Sequence, residues 1–148
     1  MTRYYEDFEI GDVAEYGDYT ITKEEILEFA NRWDPEPYHT DEEFAKTTIF
    51  GGLIGSGVHL AAIWRKLNAE HLSDAATQAS PGWDDLTWHK PVLPDDRIRI
   101  RSEITDKRLL ASRPGIGIMW MGQKVFNQRD ELMMSFVGKI LIRTRPDS

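Results

Sequence analysis

The sequence of 148 residues contains no cysteine, which excludes disulfides and thiolate metal sites. It has no apolar run near the ~20 residues that a membrane span requires, so no membrane association is expected. The opening "MTRYYEDFEIGD" lacks the apolar stretch of a signal peptide, and a soluble, cytoplasmic protein is expected. Positive charge is also scarce. Lys and Arg number 18 against 25 Asp and Glu, for a formal net charge of −7. A surface of that sign does not favour nucleic acid, whose binding rests on neutralising phosphates. The four histidines never fall at H-x-x-x-H or similar spacing, so no metal site is expected. There is no G-x-S-x-G nucleophile elbow, no internal repeat and no low-complexity tract.

What the chain does hold is a globular composition: 41% hydrophobic, with five Trp, five Tyr and six Phe. Its length suits one domain, residues 1–148, able to bury a core without staples. Gly11 and Gly17 punctuate a first segment with room for one or two short strands. Thr22 followed by Glu25 fits a capping box, and Ile26, Leu27, Phe29, Ala30 and Trp33 then recur at helical spacing. Pro35 and Pro37 end that helix near Trp33, because a residue before proline is steered away from helical geometry. Thr40 with Glu43 offers a second capping box, opening a short helix to about Lys46.

A glycine-rich run, "FGGLIGSG", precedes a long apolar helix carrying Leu60, Ile63, Trp64 and Leu67. That helix is expected to be buried on most sides, with Ser56 as its N-cap and Gly57 in its first turn. His59, one turn in, reads as a satisfied core or interface histidine; His71 reads as a helix-end residue and His89 as a strand residue. After about residue 80 the period becomes two. Four stretches look like strands separated by "LPDD", "SRPG" and "NQRDE". Helices first and hairpin-linked strands later give an α+β class with an antiparallel sheet. In "DDRIRIRS" the alternation puts Arg97, Arg99 and Arg101 on one face, either a solvated surface or a patch for an anionic ligand.

The segment "WDPEPYHTDEEF" is the least ordinary. It stiffens a connection with two prolines while holding Asp34 and His39 five positions apart. A polar turn is the plain reading; a catalytic pair is the sharper one.

These residues resemble the MaoC-like, (R)-specific enoyl-CoA hydratase family. Its motif places Asp, then Asn-Pro, an aliphatic residue and His; here the string is Asp34-Pro35-Glu36-Pro37-Tyr38-His39. "HTDEEFAKTTIF", "GGLIGSG", "KPVLPDDRI" and "VFNQRDEL" are similar to further stretches of that family, so the likeness runs along most of the chain. Glu36 replaces the family's usual Asn, and Tyr38 its aliphatic residue.

The resemblance implies a hot-dog fold, a curved antiparallel sheet wrapped around a long central helix. It implies hydration of a trans-2-enoyl thioester, most simply enoyl-CoA, to a 3-hydroxyacyl thioester, or the reverse dehydration. Asp34 and His39 would then handle water and protons, and the Gly57 N–H would bind the developing oxyanion. Ser56, Glu36 and Tyr38 are the candidates for substrate contact. Coenzyme A would enter only as part of the acyl-CoA substrate, with no other cofactor, and two chains would pair as a homodimer or a multiple of one. A hot-dog thioesterase using a carboxylate elsewhere, and a non-catalytic module that binds acyl thioesters or only assembles, are the competing readings.

Overall fold

The computed structural model describes residues 1–147. The first strand, β1 (Val13–Thr20), leads into α1 (Lys23–Trp33). Two one-turn helices follow, α2 (Pro37–Thr40) and α3 (Glu42–Ala45), and then the long α4 (Gly57–His71). The remaining strands are β2 (Thr77–Trp88), β3 (Arg97–Leu109), β4 (Ile116–Phe126) and β5 (Leu132–Arg143). They form one antiparallel sheet in the order β1-β3-β4-β5-β2, so the α+β class and the hot-dog architecture hold.

Alternation builds the core. Ile98, Ile100 and Ile104 on β3, Met121 and Val125 on β4 and Phe136 on β5 all point inward. Ile98, Ile100, Val125 and Phe136 there meet Leu60, Ile63, Trp64 and Leu67 of α4, while Ile104 and Met121 pack around Leu72. The Trp64 ring stands edge-on to Phe136, centroids 4.6 Å apart, and its Nε1–H donates to Gln123 Oε1 at 3.1 Å. Gln123 also accepts from Ser102, and Tyr16 joins Ser102 to Asn68, so the polar groups inside the core are satisfied. A second apolar cluster, with Phe8, Leu72, Met119 and Ile142, closes the far end of α4.

Several expectations need correction. The capping box at α1 is half made: Thr22 accepts from the Glu25 N–H at 3.2 Å, but the Glu25 carboxylate bonds His59 and Tyr19 instead of returning to Thr22. The second box is displaced. Asp41, not Thr40, caps α3, accepting from the N–H groups of Glu43 and Phe44. Thr40 instead ends α2, a turn that Pro37 opens at its first position, where a missing N–H costs nothing. His39 therefore lies inside a short helix and is buried, rather than in a loop. The central helix is buried along one side only, with Val58, Ala62, Arg65 and Lys66 facing out. His89 falls one residue beyond β2. The arginine face of β3 is paired: Arg97 with Asp18, Arg99 with Asp130, and Arg101 with Glu15 at 3.9 Å.

Burial holds the imidazoles of His59 and His71 below their ordinary pKa; Glu25 opposes this for His59, while Arg3 reinforces it for His71. The unfolded chain then takes up these protons more readily than the folded one. Their contribution to stability is full above the unfolded value of about 6.5 and is lost as pH falls through and below it. The melting temperature should therefore drop between about pH 7 and pH 5, ahead of most carboxylate titration. His71→Gln should shrink that drop; an unchanged pH dependence in the variant would refute the assignment.

Candidate functional site

Asp34 is the C-cap of α1, with its N–H bonded to Ala30 O at 2.9 Å. Its backbone has already left helical geometry because Pro35 follows. The carboxylate is thus thrown off the end of α1 towards the start of α4. There Ser56 Oγ donates to Asp34 Oδ2 at 2.7 Å and accepts from the Val58 N–H at 3.2 Å. One hydroxyl caps the central helix and fixes the carboxylate. With both roles filled, Ser56 has the chemistry of an orienting group and not of a nucleophile.

His39 reaches the same place from α2. Its Nδ1–H donates to Ile54 O at 2.7 Å, which leaves Nε2 with the free lone pair in the neutral ring. Nε2 lies 3.5 Å from Asp34 Oδ2. That separation is too long for a good direct bond and suits two groups that address one small molecule. Tyr38 stands edge-on to the His39 ring, centroids 4.5 Å apart.

Asp34, Tyr38, His39 and Gly57 line one cavity of about 430 Å³, whose apolar wall includes Phe50, Val58, Trp88 and Val92. Asp34 is the one carboxylate among its lining residues. Ser56 lies behind the wall, 1% exposed. The exposed Glu36 side chain does not line the cavity; residue 36 is the N-cap of α2. Among the described residues no cluster of three or more His, Cys, Asp or Glu is placed to hold a metal ion.

Gly57 is the first residue of α4, so its N–H belongs to the unpaired amides at the positive end of the helix dipole. Why glycine stands there is a matter of space. A Cβ would come within 2.5 Å of Trp88 Cε2, and the Trp88 Nε1–H donates to Gly57 O at 3.1 Å. Trp88 was not singled out in the sequence. Its place at the end of β2, facing a glycine, shows only once the sheet has curled over the helix.

A curled sheet around one helix, with a carboxylate and an imidazole converging at that helix's N-terminus, defines a hot-dog protein with a carboxylate–imidazole pair on its cavity wall. The sequence matches the MaoC like domain family over residues 7–115, and the chain belongs to that family. It is 31% identical over 139 residues to the uncharacterized protein YdeM of Bacillus subtilis, covering 93% of this chain and 97% of that one. Among solved structures it is similar to the MaoC-like dehydratase of Rhodospirillum rubrum, with a TM-score of 0.88 and 29% identity over 98% of this chain and 99% of that chain. The R-hydratase of Pseudomonas aeruginosa matches with a TM-score of 0.75 and 25% identity over 96% of this chain and 86% of that chain.

Two substitutions probe this geometry. Ser56→Ala should cost roughly 1 kcal/mol through the lost cap and leave Asp34 without its donor; equal melting curves for variant and wild type would contradict it. Gly57→Ala should cost about 1–3 kcal/mol by overpacking against Trp88. Adding Trp88→Ala should recover most of the overpacking loss if the ring is the obstacle.

Proposed function

We propose that the chain catalyses the reversible hydration of a trans-2-enoyl thioester, carried by coenzyme A in the simplest case. The observation that carries this reading is the convergence of His39 Nε2 and Asp34 Oδ2, 3.5 Å apart, on the wall of a cavity that Gly57 also lines. A water held between the two groups gives its proton to His39 Nε2 as its oxygen bonds to C3. The C2=C3 electrons move onto the thioester as an enolate, whose oxygen accepts from the Gly57 N–H. A proton returned from the imidazole to C2 completes the 3-hydroxyacyl product and restores the free base. Asp34, held by Ser56, orients the water and stabilises the transient imidazolium. The reverse sequence is the dehydration.

Family membership and likeness to an R-hydratase and a MaoC-like dehydratase support the reaction class. A thioesterase using a carboxylate elsewhere finds none on this cavity's wall, where Asp34 is the one carboxylate, and this favours hydration. Asp34→Asn should lower kcat by about 10²–10⁴. His39→Gln should do the same, with some loss of stability because His39 is buried. The assay is loss of the conjugated enoyl absorbance of crotonyl-CoA without release of thiol. Thiol release from the wild type would favour the thioesterase, and near-normal turnover in a folded variant would remove the pair from the mechanism.

The same reading includes a homodimer. β2 is an edge strand of twelve residues with Trp83 and Trp88 partly exposed along it. A long open edge of this kind invites pairing, and a second copy joined there would extend the sheet. Light scattering at micromolar concentration should give a multiple of two chains; a clean species near 17.1 kDa would refute the dimer. Glu36→Gln should leave the pH–rate profile superimposable on that of wild type, since the carboxylate faces away from the cavity.

A further inference from the structure

Behind the catalytic pair lies a second group of titratable side chains that the proposed reaction does not use. His59 sits on α4, three residues beyond Ser56, and is 5% exposed. Its Nε2 lies 2.9 Å from Glu25 Oε2, and Phe29 stacks on its ring at 4.4 Å with the planes 6° apart. The other Glu25 oxygen accepts from the Tyr19 hydroxyl. Glu25 is the residue that the sequence pattern assigns to the capping box of α1, yet its carboxylate has been taken from the cap and committed to α4.

Residues i and i+3 share one face of a helix, so Ser56 and His59 present a single side of the first turn of α4. Both are bonded by carboxylates of α1: Ser56 by Asp34 at the C-cap, His59 by Glu25 in the first turn. Two bonds nine residues apart along α1 reach two residues only three positions apart at the start of α4. With the Trp88 Nε1–H bond to Gly57 O on a different element, they tie the first turn at three points, two of them on α1. That turn carries the Gly57 N–H and the hydroxyl that orients Asp34.

From this geometry we infer that Tyr19, Glu25 and His59 form a positioning cluster. It locks the rotation of the first turn of α4, and so sets the oxyanion donor relative to the Asp34–His39 pair. The inference rests on the hydration reading for its kinetic consequence, and on geometry alone for the lock. Burial favours the neutral imidazole, whose Nε2–H then donates to the Glu25 carboxylate. The same carboxylate raises the Tyr19 hydroxyl to about 12, keeping it a donor at every working pH. Glu25 is therefore gripped from two sides, and the cluster is rigid without carrying a proton in the reaction.

The test compares His59→Leu with His59→Gln, whose amide N–H can still reach Glu25. In His59→Leu, kcat for crotonyl-CoA hydration should fall about ten- to a hundredfold, the scale of a small misplacement of reacting groups, while KM changes little. Amide hydrogen exchange over residues 55–61 should quicken. His59→Gln should restore both. Glu25→Leu, at the more exposed end of the pair, replaces His59→Leu if that variant does not fold. Unchanged kcat, unchanged exchange, or failure of Gln to rescue would each overturn the inference. An inactive wild type would instead count against the hydration reading, and the exchange comparison would still decide whether the lock exists.

Discussion

The Ser56 hydroxyl is the interaction on which both fold and site depend. As an acceptor it caps the first turn of the helix around which the sheet curls. As a donor it holds the carboxylate that ends α1. Because one oxygen does both, the start of the central helix and the position of Asp34 cannot vary separately. The rest of the site is arranged around that junction. Pro35 ends α1 at the right residue, Pro37 opens the turn that carries His39, and Ile54 supplies the carbonyl that fixes the imidazole tautomer.

The body of α4 and its first turn are held by different forces. Its inward side, from Leu60 to Leu67, is shared with the sheet and is almost wholly apolar except for the Trp64–Gln123 bond and the hydroxyls behind it. At its start, Ser56 and His59 are bonded to carboxylates of α1. The sheet can thus be built by hydrophobic burial alone, while the polar groups are aligned by bonds that burial does not set.

Much of this was legible in the sequence because the signals were local. Thr22, Ser56 and the two prolines act on backbone within a few residues, and helix ends followed from them. Alternation is clear in the first half of β3 and over most of β4 and β5, where one face of the strand is buried. The Asp34–His39 pairing was visible as a spacing and as a likeness to a family. What was not legible depends on contacts far apart in the chain. Glu25 matched a local motif, but a buried histidine 34 residues away outcompeted the cap for its carboxylate. Thr40 matched the same motif and lost to Asp41, one residue on, because Pro37 had already begun a turn that Thr40 completes. Glu36 stood inside the family-like string, yet the first turn of α2 points its side chain to solvent. Trp88 carried no signal at all, since nothing along the chain tells that its ring will lie over residue 57.

The contact between Gly57 and Trp88 reaches beyond this one chain. A ring within 2.5 Å of where a methyl group would sit makes the two positions a single unit of inheritance. In a descendant lineage a side chain at position 57 costs stability while the indole remains, whereas the indole can shrink without meeting that clash. Change therefore runs more easily in one order, ring first and glycine second. Across distant relatives, residues with side chains at the first position should be found together with small residues at the end of the second strand, however little else those sequences share.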